Sequence, residues 1–267
     1  DDNIYVIRAY NFYVDAPLTI MPGTIVKFTN EGANMVIGNG GSIIANGEAD
    51  DPVIFTDYKD DSKGGDTNGD GSSSASAGSW GIIDVNGQTA DFTYCEFYYG
   101  GNSTDESTLA YTAGASGSVD NCLFKHNKGG LSGNYYYGVV NADGADPYFK
   151  ITNTTFENNI LPLSINADIS VDGSNSFSEN TYKGIFVSGS VNDTTDWGET
   201  DVAYVYTGSN FQLTGQSKLN MSSGVVLKFL TNKDAEMYLY NGTSNLSDNY
   251  DDSSQVIYTS FKDDSYG

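Results

Sequence analysis

The stretches "NCLFKHN" (121–127), "NTTFENN" (153–159) and "SNSFSEN" (174–180) share one pattern, an Asn three residues after a Phe. A looser copy, "CEFYYGG" (95–101), has Gly100 where the Asn would stand. The four phenylalanines (Phe97, Phe124, Phe156, Phe177) are 27, 32 and 21 residues apart, inside the roughly 20 to 50 residues of solenoid repeats. Each Phe alternates with small or polar neighbours, which predicts a short strand with the ring pointing inwards. Asn or Gly at the fixed offset is expected to take positive φ, where the chain turns to its next face. Rungs of this kind stack, each burying its apolar row against its neighbours. A β-sandwich would instead need hairpin signals between alternating strands, and the one clean candidate is "VNGQ" (85–88).

A larger repeat surrounds this fine one. "LTIMPGTIVKF" (18–28) realigns with "LNMSSGVVLKF" (219–229), "MVIGNG" (35–40) with "MYLYNG" (237–242), and "VIFTDYKDDS" (53–62) with "VIYTSFKDDS" (256–265). The offset drifts only from 201 to 203 residues, as single insertions in turns would produce. The second copy stops before any match to "GDTNGDG" (65–71). The expectation is a piece of a longer tandem-repeat polypeptide, with one unit over 1–203 and the start of a second over 204–267.

Composition narrows the function classes. The 267 residues carry 35 Asp+Glu against 12 Lys+Arg, a formal net charge of -23. Such a surface repels nucleic acid and anionic lipid and attracts divalent cations. No apolar run approaches the length of a membrane span, and the opening "DDNIYVIRAY" does not have the form of a signal peptide. Glycine (31) and tyrosine (20) suit strands and turns. Sequons at Asn102, Asn153, Asn192, Asn220, Asn241 and Asn245 carry little weight in so Asn- and Ser/Thr-rich a chain. Scarce basic residues and few cysteines lean towards an extracellular, cell-surface location.

"LTIMPGTIVKF", "NGGSIIANGEADDPVIFT", "DDSKGGDTNGDG", "SWGIIDV" and the "NCLFKHNKGG" rungs resemble right-handed parallel β-helix repeat proteins. These are long secreted or surface-anchored microbial proteins sharing their superfold with pectate lyases. The resemblance implies an all-β, right-handed parallel β-helix of roughly ten rungs, with a long acidic, Gly-rich loop inserted over 57–80. It implies no single activity, because fold does not fix function.

In that loop "DTNGDG" puts Asp66, Asn68 and Asp70 at alternate positions, with Gly71 for a sharp turn. This is the opening half of an EF-hand-like calcium loop. The twelfth position is Ala77, not Glu, so further oxygens are needed, and Asp57, Asp60 and Asp61 lie just upstream. Calcium pinning a long excursion is the expectation; a solvated acidic loop is the bland reading.

Cys95 and Cys122 both stand two residues before a stacked Phe. Neighbouring strands about 4.8 Å apart permit either a disulfide or a ladder of buried thiols. His126 is the one histidine, expected as an exposed turn residue, with Asp120 and Asp143 its nearest acids in sequence. Tyr98, Tyr99, Tyr135, Tyr136 and Tyr137 fall in runs that alternation cannot bury completely. They either stack on sugar or protein ligands or pack as aromatic ladders. Trp80 and Trp197 share "WGxxDV". The expected function is a non-catalytic structural, adhesive or fibre-forming module whose partner is itself, head to tail or in tandem, or a cell-surface polysaccharide. The alternative is a carbohydrate-active enzyme or polysaccharide-binding β-helix.

Overall fold

A computed structural model describes residues 3–102, 107–132, 135–230, 236–239, 245–248 and 255–266. Among these the regular elements are all strands, and almost every pairing is parallel. None of the described segments is a helix long and apolar enough to cross a membrane.

The chain passes through three sheets in rotation. The first sheet stacks Asn3–Ile7, Thr24–Phe28, Val53–Asp57, Cys95–Tyr98, Leu123–Lys125, Thr155–Glu157 and Ser176–Ser178. The second stacks ten strands, from Asn11–Val14 through Asn34–Ile37, Ile83–Asn86, Leu109–Thr112, Val140–Ala142, Leu163–Asn166, Gly184–Ser188, Ala203–Tyr206 and Val226–Phe229 to Ile257–Ser260. The third holds Pro17–Ile20, Ser42–Asn46, Thr89–Thr93, Ser116–Asp120 and Lys150–Thr152. Successive strands in one sheet are therefore separated by a full circuit of the chain, and the apolar side chains meet inside.

The rung pattern explains the packing. Phe55, Phe97, Phe124, Phe156 and Phe177 occupy one register line of the first sheet. Their rings stack at centroid distances of 4.9, 4.4, 5.4 and 5.1 Å, with interplanar angles of 14° or less. Phe55, Phe97, Phe124 and Phe156 are wholly buried, which contributes about 1.5–3 kcal/mol for each ring.

The Asn three residues on does not take positive φ, contrary to the expectation from sequence. That conformation falls one residue earlier, at Tyr99, His126, Asn158 and Glu179 (φ 63, 57, 55 and 54°). Asn127, Asn159 and Asn180 are instead buried and form a ladder. The amides of Gly100, Asn127 and Asn159 donate to Oδ1 of Asn127, Asn159 and Asn180, each at 2.9 Å. Their Nδ2 groups donate to the carbonyls of Phe97, Phe124 and Phe156 at 2.8, 2.8 and 2.9 Å. A corner strips backbone groups of sheet partners, and a buried carboxamide, with one acceptor and two donors, restores them.

The large repeat reaches further back than its obvious matches. Residues 4–14, "IYVIRAYNFYV", align with 203–213, "AYVYTGSNFQL", pairing Tyr5 with Tyr204 and Phe12 with Phe211. Each of the seven strands from Asn3–Ile7 to Val53–Asp57 has a counterpart, but the copies occupy different faces. Asn3–Ile7, Thr24–Phe28 and Val53–Asp57 lie in the first sheet, whereas Ala203–Tyr206, Val226–Phe229 and Ile257–Ser260 extend the second. The counterparts of Asn11–Val14 and Asn34–Ile37 pair in a separate two-stranded sheet, Asn210–Leu213 with Glu236–Leu239. Those of Pro17–Ile20 and Ser42–Asn46 pair in a three-stranded one, Lys218–Met221 with Asn245–Asp248, which also takes in Thr194–Trp197.

Candidate functional site

The strand Val53–Asp57 is followed by no regular element until Ile83–Asn86. The intervening loop folds back over the outer face of the first sheet, and its anchor is a lysine. Lys27, on a strand between the inward-facing Val26 and Phe28, points outwards by alternation and would read as solvated. It is 0% exposed. Its Nζ donates to the carbonyls of Asp60 and Gly65 at 3.0 and 2.9 Å. Burial lowers its pKa, against the raising fields of Asp60, Asp61, Asp57 and Asp66. Beside it, Thr56 Oγ1 donates to the Asp60 carboxylate at 2.7 Å. Lys63 closes the edge, 2.8 Å from Glu96 and 4.4 Å from the Tyr98 ring centroid.

The second copy repeats the Asp60 part of this anchor. Lys228 Nζ donates to the Asp263 carbonyl at 2.9 Å, and Thr259 Oγ1 to the Asp263 carboxylate at 2.6 Å. Ser62 and Ser265 amides cap Asp60 and Asp263 at 3.1 and 3.0 Å. The phrase "KDDS" is thus a turn that seats on a buried lysine of the preceding circuit. The match of 18–28 with 219–229 pairs Lys27 with Lys228, and the shared turn is why both copies have a lysine there.

The expected metal ligands separate into two groups. Carboxylate oxygens of Asp61, Asp66 and Asp70 lie within 4.8 Å of one another. Asp66 accepts from the amides of Gly69 and Gly71 at 2.7 and 3.1 Å, and Asp61 from Ser73 N at 2.6 Å. Asp57 and Asp60 lie outside this trio: Asp57 Oδ1 accepts from Lys59 N at 2.8 Å, and Asp60 belongs to the lysine anchor. Asn68 turns its Nδ2 towards Asp70 at 2.8 Å. The trio is an all-oxygen, anionic donor set, which suits a hard cation such as calcium.

Cys95 and Cys122 occupy adjacent first-sheet rungs as free, buried thiols, with Cys95 N 3.4 Å from Cys122 Sγ. Burial pushes the Cys95 thiol well up. His126 is half-buried, and its ring stacks on Tyr99 at 5.8 Å. Asp120 is taken up by Thr152 Oγ1 and Asn153 Nδ2 at 2.7 and 2.9 Å. Tyr98 is buried and donates to Glu96 at 2.8 Å. Tyr135, Tyr136 and Tyr137 form one arm of an antiparallel hairpin with Gly130–Ser132, the arms joined in sequence by Gly-Asn rather than Asn-Gly. Trp80 stacks on Phe28 at 4.1 Å and Trp197 on Tyr204 at 4.6 Å, both buried before a strand of the second sheet. Of the sequons, Asn241 lies outside the described residues.

No protein-family model, no curated protein and no solved structure matches the chain.

Proposed function

We propose that the chain is a right-handed parallel β-helix acting as a non-catalytic structural or adhesive module of an extracellular tandem-repeat protein. Its partner is a further copy of itself, joined in one continuous stack. The observation that carries this reading is a pair of equivalent surfaces. Tyr5 and Phe12 are 61% and 42% exposed, while their counterparts Tyr204 and Phe211 are 0% exposed. Trp197, from the preceding circuit, stacks on Tyr204 at 4.6 Å and Phe211 at 5.8 Å. A surface that is core in one copy and bare in the other is built to be covered by a coil like the one around Thr194–Trp197.

Calcium is the proposed cofactor. Asp61, Asp66 and Asp70 would hold it, and it would supply positive charge that locks the loop tip beyond the lysine anchor. The strong net acidity fits a surface protein working where divalent cations abound.

The test places a further copy of residues 1–202 before residue 1 and examines the product by negative-stain electron microscopy, with calcium and after chelation. The expected product is one rigid rod, lengthened by roughly 34 Å for seven strand steps of about 4.8 Å, with ordered loops only when calcium is present. Two hinged bodies would overturn the reading. The alternative, a carbohydrate-active or polysaccharide-binding β-helix, draws on the 69% exposed Tyr135; turnover of any polysaccharide in a reducing-end or unsaturation assay would establish it instead.

A further inference from the structure

The tyrosine hairpin lies over the outer face of the second sheet, held by Tyr136 stacked on Phe186 at 4.8 Å. With Thr112, Asn141 and Asp143 opposite, the three tyrosines bound a groove of about 390 Å³, within the ~300–1,000 Å³ range of small-molecule sites. Asp143 follows the strand Val140–Ala142, and its amide donates to Asn141 Oδ1 at 3.0 Å. Its own Oδ1 is buried without a hydrogen-bond partner among the described residues. Burial pushes its carboxyl up to about 7, opposed only by a hydrogen bond with Ser188. Among the described residues, no Lys, Arg or His lines the groove.

The missing component is positive charge. A carboxylate taken out of water without a counter-ion is costly. Tyrosine rings attract cations through their quadrupole, by about 0.5–2 kcal/mol each. The overall charge of -23 concentrates cations and repels anions. A neutral sugar would satisfy the rings and hydroxyls but leave the buried carboxylate uncompensated. We propose that this groove binds an organic ammonium group, with the tyrosine rings about the cation and Asp143 as its counter-charge. A choline headgroup and a lysine side chain both offer that chemistry.

Calorimetric titration of the full chain at low salt tests it, using choline chloride, Nα-acetyl-lysine methylamide and, as the neutral arm, maltotriose. The expected result is saturable binding of at least one ammonium compound and none of maltotriose. Which compound binds more tightly identifies the source. Asp143→Asn, which keeps the shape and removes the charge, should weaken binding by about tenfold or more, equivalent to about 1.4 kcal/mol. Tyr135→Ala alters an exposed ring that the fold does not need, and should weaken it by about threefold or more. Circular dichroism checks that both variants fold. Absence of binding by either ammonium compound, binding unchanged in Asp143→Asn, or maltotriose binding in their place would each overturn the proposal.

Discussion

Replacing Lys27 with Met keeps most of the stem's volume and removes the ammonium. Two carbonyls, of Asp60 and Gly65, then lose donors at 3.0 and 2.9 Å beneath the loop. An unsatisfied buried acceptor costs about 1–3 kcal/mol, so the gross loss is about 2–6 kcal/mol. Part is recovered, because burial also penalises the charge. Lys27 has its folded-state pKa lowered, so the contribution of its titration to stability is present above the unfolded value and lost as pH falls through the folded one. At neutral pH the ammonium is therefore strained by desolvation, and Met escapes that strain. A net loss of about 2 kcal/mol follows, roughly a thirtyfold rise in the opening equilibrium. It should be local, since the lysine bonds the loop and not the core. Hydrogen exchange read by mass spectrometry should show residues 57–80 deprotected by about thirtyfold, with Cys95–Tyr98, Leu123–Lys125 and Thr155–Glu157 unchanged. Unchanged loop protection would refute the anchor, and uniform deprotection would show that the lysine holds the whole stack.

Asn159→Ala strips the partners from Asn127 N and Phe124 O; about 3 kcal/mol should be lost, lowering the calorimetric Tm by about 6–12 °C. Asn158→Gly, at φ 55°, should be within about 0.5 kcal/mol of the parent, and a large loss there would show that the Asn158 side chain, and not its left-handed backbone, sets the turn. Asp57, Asp143 and Glu199 all have carboxyl pKa values raised by burial, Asp143 to about 7. Raised folded values favour folding below the unfolded pKa and lose that contribution as pH climbs, so the urea midpoint should fall between pH 5 and pH 8. Asp143→Asn should flatten that fall, and an unaltered slope would count against the buried carboxyl. Both thiols should resist an aromatic disulfide reagent in the native protein and react, two per chain, only after denaturation; no reaction after denaturation would reveal a disulfide.

The Phe spacing and the Asn that follows it were enough to anticipate stacked parallel strands, because an inward ring and a corner carboxamide repeat in every circuit. They were not enough to assign the corner correctly. Asn is common both at positive φ and in buried ladders, and only the partners of Asn127 and Asn159 distinguish the two. Lys27 was invisible as a site because alternation puts it outside, and only tertiary folding brings the loop over it. Asp61, Asp66 and Asp70 converge through turns that begin at the lysine, so local spacing singled out Asp66 and Asp70 but ranked Asp57 and Asp60 as equals of Asp61. The Tyr5–Tyr204 equivalence rests on four identities in eleven, as many as join 18–28 to 219–229; what sequence does not show is that the paired rings are exposed in one copy and buried in the other. The hairpin that bounds the Asp143 groove has Gly-Asn (133–134) between its arms in sequence, a primed-turn pair that a search for Asn-Gly passes over.

The transfer of Asn3–Ile7, Thr24–Phe28 and Val53–Asp57 from the first sheet to counterparts in the second has a geometric consequence. Thr24–Phe28 belongs to the first sheet and its counterpart Val226–Phe229 to the second, so the copies are related by a screw operation and not by plain translation. Lys27 and Lys228 therefore anchor their acidic turns on different sides of the column. An array built by repeating that join would carry its turns in a spiral, returning to the same side after three copies, about 100 Å at roughly 4.8 Å per strand step. Sites spaced this way face outwards all around the shaft, so a filament would meet a flat surface with every third turn and a surrounding matrix with all of them.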